Sequence, residues 1–250
     1  MSNHLSLRSG NPVLKANTFI QRQTTIDTGM MTITGTVNKT ALGLLLLMTT
    51  AIFTWNMSPT DPRISTLMMV GIFGGLIAAI ITVFKRHLAP YTTPIYALLE
   101  GLALGGISRF FETLYPGIVN QAVFLTFGTL AALLFAYQSG LIKPTENFKL
   151  GIVAATGGIF FVYIISFILG LFGVQIPLIH SNSNFGILFS FGVVIIAALN
   201  LVLDFDFIEE GAEIGAPKYM EWFGAFGLLV TLVWLYLEIL HLLAKLQSRR

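Results

Sequence analysis

The sequence predicts an all-α integral membrane protein with seven transmembrane helices. Three observations carry that prediction. Apolar residues make up 55% of the 250 positions and charged residues only 10%, with a mean hydropathy of +0.80. A water-soluble domain must keep much of its surface polar, whereas a bundle in lipid is as apolar outside as inside. Seven stretches approach the ~20 apolar residues that a helix needs to cross the hydrocarbon core. Short polar or Pro- and Gly-bearing connections separate them, so consecutive helices form antiparallel hairpins.

Residues 1–38 are polar, hold Gly10, Pro12, Gly29 and Gly35, and carry no apolar segment. They are expected to be a flexible or surface-lying tail ahead of a bundle over 39–250, and no cleavable signal peptide is evident among them. Asn38-Lys39-Thr40 has the form of a glycosylation sequon, but with no sign of secretion and a span beginning at once it is a chance match. Span one is Ala41–Met57, closed by Ser58-Pro59-Thr60-Asp61-Pro62, and span two is Ile64–Phe84, closed by Lys85-Arg86-His87. Span three, Tyr91–Phe110, opens after Pro90. Span four is Ile118–Tyr137, closed by Ser139-Gly140, and span five is Leu150–Phe172. Span six, Phe185–Leu203, runs into Asp204-Phe205-Asp206 and an acidic loop, Glu209-Glu210-Gly211-Ala212-Glu213. Span seven lies within Trp222–Leu246.

Cytoplasmic loops carry the excess of Lys and Arg. With seven spans, one side holds Arg8, Lys15, Arg22, Lys39, Lys85, Arg86, Lys143, Lys149 and Lys218. The other holds Arg63, Arg109, Lys245, Arg249 and Arg250. This puts the N-terminus in the cytoplasm and the C-terminus outside, with a bacterial inner membrane as the expected location. Six spans with a re-entrant last segment would bring both termini inside, and the basic C-terminal tail favours that alternative.

Several functions lose support. Without cysteine there is no disulfide, thiol redox chemistry or Cys-ligated metal. A net charge of +2 with no concentrated basic face gives nucleic acid nothing to bind. No phosphate-binding glycine loop or zinc-protease motif occurs, and no internal repeat supports a secondary transporter. His87, His180 and His241 have no second ligand at metal spacing, so no enzyme activity, cofactor or resident metal is expected. The glycines of the spans (Gly71, Gly74, Gly75, Gly101, Gly105, Gly106, Gly151, Gly157, Gly158) read first as close helix packing.

An ionisable residue inside the membrane is costly and therefore a functional candidate. Glu100 sits midway along span three, Asp204 and Asp206 at the exit of span six, and Glu238 in span seven. Glu238 is surrounded by apolar residues, so it faces the protein interior and needs a proton or a partner. Asp204 and Asp206 are two apart and point in different directions on a helix. Each has a bland alternative: a neutral carboxyl stitching helices together at Glu100 or Glu238, and a solvated helix end at Asp204 or Asp206.

Five segments together resemble the Bax inhibitor/YccA-like group, the transmembrane Bax inhibitor motif proteins, over about residues 30–247. They are Thr36-Val37-Asn38-Lys39-Thr40, Tyr96-Ala97-Leu98-Leu99-Glu100-Gly101, Gly117-Ile118-Val119-Asn120-Gln121-Ala122, Leu203-Asp204-Phe205-Asp206-Phe207-Ile208 and Trp234-Leu235-Tyr236-Leu237-Glu238-Ile239-Leu240. The resemblance implies six helices wrapped around a central C-terminal seventh. It also implies a pH-sensitive calcium leak in which two carboxyls share a proton, falling here on Asp204 and Glu238, with Asp206 in support. Glu238 departs from the family's second Asp. A basic residue near the end of span two, Lys85 or Arg86, is expected to assist gating, and Glu100 to line or support the path.

Calcium is then the transported ion, held transiently by the oxygens of Asp204 and Glu238. The implied partners are the lipid bilayer and calcium. The alternative is a non-conducting regulator that binds another membrane protein, such as a membrane protease or a stress or cell-death factor, through residues 1–38. The carboxyl pair carries a geometric condition. Glu238 lies about 24 Å along a span that begins at Trp222, at 1.5 Å per residue. It meets Asp204 only if Pro217–Gly227 is a separate interfacial stretch and the span starts near Leu228.

Overall fold

The computed structural model describes residues 29–58, 60–173 and 183–249. Among these, seven long helices follow one another: α1 Ile33–Trp55, α2 Arg63–Phe84, α3 Ala89–Leu114, α4 Ile118–Gln138, α5 Glu146–Leu171, α6 Asn184–Glu213 and α7 Met220–Gln247. A single 3-10 turn, Arg86–Leu88, joins α2 to α3. Six of the seven are long and apolar enough to cross a membrane. The other, α3, has 26 residues and carries Thr92, Thr93, Pro94, Glu100, Arg109 and Glu112. It packs closely along α1 and α2, which covers much of that polarity.

The helices start where side chains cap free N–H groups. Gly35 N donates to Thr32 Oγ1 at 3.0 Å, and Phe148 N donates to Thr145 Oγ1 at 3.3 Å. Two helix boundaries differ from the sequence-based expectation. The tail assigned to 1–38 gives way to α1 at Ile33, eight residues before the predicted span, and Met31 and Thr36 are already buried. The predicted acidic loop after span six is also helical, because α6 continues to Glu213. Helical hydrogen bonding is indifferent to polarity, so a helix leaving the hydrocarbon continues until a turn residue stops it. Gly215, at φ 66, does that here.

Two groups of glycines behave differently. A Cβ at Gly101 or Gly105 would collide with the α1 backbone, and one at Gly71 would lie 2.6 Å from Leu99 O of α3. These positions let helices touch backbone to backbone. Gly151, Gly157 and Gly158 have nothing within 4 Å, so close packing does not account for them.

The bundle is organised around α7. Leu229, Leu235 and Leu240 are fully buried, and α7 packs against α1, α3, α4 and α6. α2 lies outside α3, and α5 lies outside α6. α5 contributes a single buried residue, Ile152.

Connections alternate between two faces. Met31 N donates to Ala216 O at 2.7 Å, which puts the start of α1 beside the α6–α7 turn; this is the N-face. α7 ends at the opposite C-face, where the His241 ring meets Phe111 near the end of α3, with centroids 5.3 Å apart. The described chain therefore starts and ends on opposite faces, which fits seven crossings and not six with a re-entrant segment.

Candidate functional site

Lys149, Thr156 and Tyr163 recur every seven residues along α5, and Thr231, Glu238 and Lys245 do so along α7. Seven residues fall about 20° short of two helical turns, so each trio keeps to one face. Lys149, Thr156, Thr231 and Lys245 meet α6 while Tyr163 and Glu238 meet each other, and a polar seam results between α5, α6 and α7. It opens at the N-face with Lys149 Nζ, 2.6 Å from Asp206 Oδ2. Deeper in, Asn200 Nδ2 donates to Thr156 Oγ1 at 2.8 Å and to Ile196 O at 2.8 Å. Next, Tyr163 Oη donates to Glu238 Oε1 at 2.9 Å, and Trp234 Nε1 donates to the same oxygen at 3.1 Å. At the C-face, Lys245 Nζ donates to Ser190 Oγ at 2.7 Å.

Asp204 stands apart from these satisfied groups. Its Oδ2 is buried and has no hydrogen-bond partner among the described residues. The Thr231 side chain on α7 is its polar neighbour. A Cβ at Gly227 would lie 3.4 Å from its Oδ1, so the bare glycine leaves room beside the carboxyl. Asp206, two positions on, turns toward α5 and Lys149, as the helical angle requires.

The predicted Asp204–Glu238 pair is not brought together. α7 is continuous from Met220, so no separate interfacial stretch delays its entry. Asp204 lies level with Gly227 and Thr231, and Glu238 lies a further seven residues along α7, about 10 Å. From the nearer helix end each carboxyl lies about 14 Å deep, Asp204 from the N-face and Glu238 from the C-face. They are two stations on one seam, and they do not form a common ligand set for calcium. Among the described residues no three His, Asp or Glu side chains converge as a metal site.

Other candidates lie elsewhere. Glu100 leans on α2: a Cβ at Gly75 would sit 2.8 Å from its Oε2. Both basic residues after α2 are exposed, and the Arg86 guanidinium lies 5.2 Å from the Phe223 ring of α7. Arg86 is therefore the one that reaches the central helix. His241 Nδ1 lies 2.7 Å from Leu237 O. His180 lies outside the described residues.

Glu221 was not foreseen. It is fully buried and accepts from Thr32 N at 2.9 Å, Thr32 Oγ1 at 2.8 Å, Lys218 Nζ at 2.8 Å and Lys39 Nζ. The carboxylate clamps the start of α1 to the start of α7, and Gly35 makes room for it. The signals available in the sequence were the Lys218–Glu221 spacing and, for the seam, the seven-residue recurrence of polar residues in spans five and seven.

Neither a curated protein nor a solved structure matches the chain. The model of one family, described as Bax inhibitor 1 like, matches residues 11–248. With nearly its whole length matched, this integral membrane protein belongs to the Bax inhibitor 1 like family.

Proposed function

We propose that the protein is a pH-sensitive calcium leak, with the seam between α5, α6 and α7 as its route and Asp204 as its proton-sensitive station. The observation that carries this reading is the Oδ2 of Asp204, buried with no hydrogen-bond partner among the described residues, on a seam whose polar contacts recur from Lys149–Asp206 to Lys245–Ser190. A lone carboxylate inside a membrane bundle is costly, so it takes either a proton or a cation. Protons and calcium then compete for the same oxygens, which makes the leak sensitive to pH. Oxygen ligands suit Ca²⁺ over softer metals.

This reading replaces proton sharing between two carboxyls with one carboxyl that keeps an oxygen without a partner among the described residues and one held carboxyl. Tyr163 and Trp234 hold Glu238, and in this reading it serves as the second station on the way to the C-face. Calcium is the cargo, the chain catalyses no reaction and carries no cofactor, and nucleic acid has no part. The N-face is assigned to the cytoplasm of a bacterial inner membrane, on the excess of Lys and Arg there.

The test is calcium flux into liposomes containing only the purified protein. The expected result is a flux that falls as protons displace calcium from Asp204, and that loses this response in Asp204→Asn. A protein that folds, inserts and passes no calcium at any pH would overturn the reading in favour of a non-conducting regulator of another membrane protein. That regulator would have a shorter contact tail than residues 1–38, since 33–38 belong to α1.

A further inference from the structure

A second feature of the bundle runs between α1 and α4 and meets the seam at its N-face mouth, where Lys149 and Asp206 line both. α1 and α4 stand apart there, and two cavities fill the gap. One, of ≈ 960 Å³, opens at the N-face; the other, of ≈ 290 Å³, continues toward the C-face as far as Ser108 and Tyr236. Leu44 of α1 and Leu232 of α7 line both, so the two form one groove floored by the central helix.

The groove changes character along its length. Leu44, Leu130, Leu134, Leu228 and Leu232 line its deeper part. Its N-face mouth is charged on both sides, with Lys143 and Lys149 on one and Glu209, Glu210 and Glu213 of α6 on the other. Lys149 is engaged by Asp206, and Glu209 accepts from the Tyr137 hydroxyl. Lys143, Glu210 and Glu213 are exposed at the rim.

We propose that this groove seats one membrane phospholipid with an amine-bearing headgroup. Its ammonium sits at Glu210 and Glu213, its phosphate beside Lys143, and an acyl chain lies along the leucines onto α7. Three features select this occupant. The groove lies at the depth of the acyl chains, where the surrounding solvent is lipid. Its polarity runs from charged to apolar in the same order as a lipid. Its mouth carries both charge signs, which matches a zwitterionic headgroup better than a purely anionic one. The groove shares Lys149 and Asp206 with the N-face mouth of the seam, but neither Asp204 nor Glu238 lines it, so lipid retention is read separately from ion flux.

The experiment is native mass spectrometry with lipid extraction on the full chain, purified in mild detergent from membranes holding phosphatidylethanolamine and phosphatidylglycerol. One lipid per chain should survive washing, enriched in the amine headgroup over the starting membrane. Each rim charge at a membrane surface is worth about 1 kcal/mol, or about fivefold. Glu210→Lys with Glu213→Lys should therefore turn the preference toward phosphatidylglycerol by at least that factor. Leu44→Trp should displace the retained lipid by filling the track. Leu134→Trp fills it from the opposite wall and serves if the first variant does not elute as a single folded species. Phe161→Trp, on the exposed face of α5, should change nothing. Retained lipid that mirrors the membrane in every variant would overturn the proposal as annular lipid only. A dimer lost in the filled variants would overturn it in favour of a second copy of the chain.

Discussion

Asp204 and Glu238 offer the sharpest test, because a shared proton and two separate stations make different predictions. A pair in contact, about 3 Å apart, would interact by about 5.5 kcal/mol at an effective dielectric of ~20. At the axial separation of about 10 Å worked out above, the same expression gives about 1.7 kcal/mol as an upper value. One pH unit corresponds to about 1.4 kcal/mol. Replacing Glu238 by Gln should therefore move the midpoint of the flux-against-pH curve by little more than one unit and leave the response in place. Asp204→Asn should remove the response. The assay is calcium flux in liposomes at stepped pH for the two single variants and the double. A displacement of two units or more in Glu238→Gln, or a response abolished equally by either substitution, would refute the separate-station geometry and restore the coupled pair.

Other consequences follow from particular contacts. Tyr163→Phe removes one rung holding α5, a helix with only Ile152 buried. At about 0.6 to 1.7 kcal/mol for a hydrogen bond within a membrane, the basal leak should rise about three- to twentyfold if α5 moves on opening; an unchanged leak would mean α5 stays in place. Glu221→Ala removes four donors' acceptor at the α1–α7 clamp and should lower stability by about 2 to 4 kcal/mol, read as a drop in thermal midpoint in detergent. Gly105→Leu should prevent stable folding by pushing a side chain into the α1 backbone, whereas Gly157→Ala, with open space around it, should melt like the parent. The chain has no cysteine, so single introduced cysteines report topology without background. One replacing Arg249 should react with an impermeant reagent from outside and one replacing Lys143 only after permeabilisation; the reverse pattern would invert the assigned orientation.

Sequence alone was sufficient for the features set by local composition. An apolar run of bilayer length must be a helix, because its backbone can be satisfied only within itself. Pro62, Pro90, Gly117 and Gly140 lie in or beside the breaks between helices, so the ends of α2, α4 and α5 came within a few residues. The intramembrane carboxyls stood out because a charge there is rare and costly. The ends of α1 and α6 were misplaced for the complementary reason. Hydropathy marks where lipid begins, and a helix continues past that point through Thr36–Lys39 or Asp204–Glu213 at no cost in backbone hydrogen bonds.

Which residues meet across helices was a matter for the tertiary structure. Glu221 is an ordinary surface acid until the start of α1 folds over it and supplies Lys39 and Thr32. Asp204 and Glu238 are neighbours in a pattern of spans but not in space. Their relative height is set by where α7 begins after the turn at Gly215 and by how far α6 runs past Leu203, and neither is encoded at either carboxyl. Each residue added before a helix enters the bundle moves everything after it by about 1.5 Å. Two side chains 34 positions apart in sequence therefore owe their separation to the packing of the whole bundle and not to their own identities.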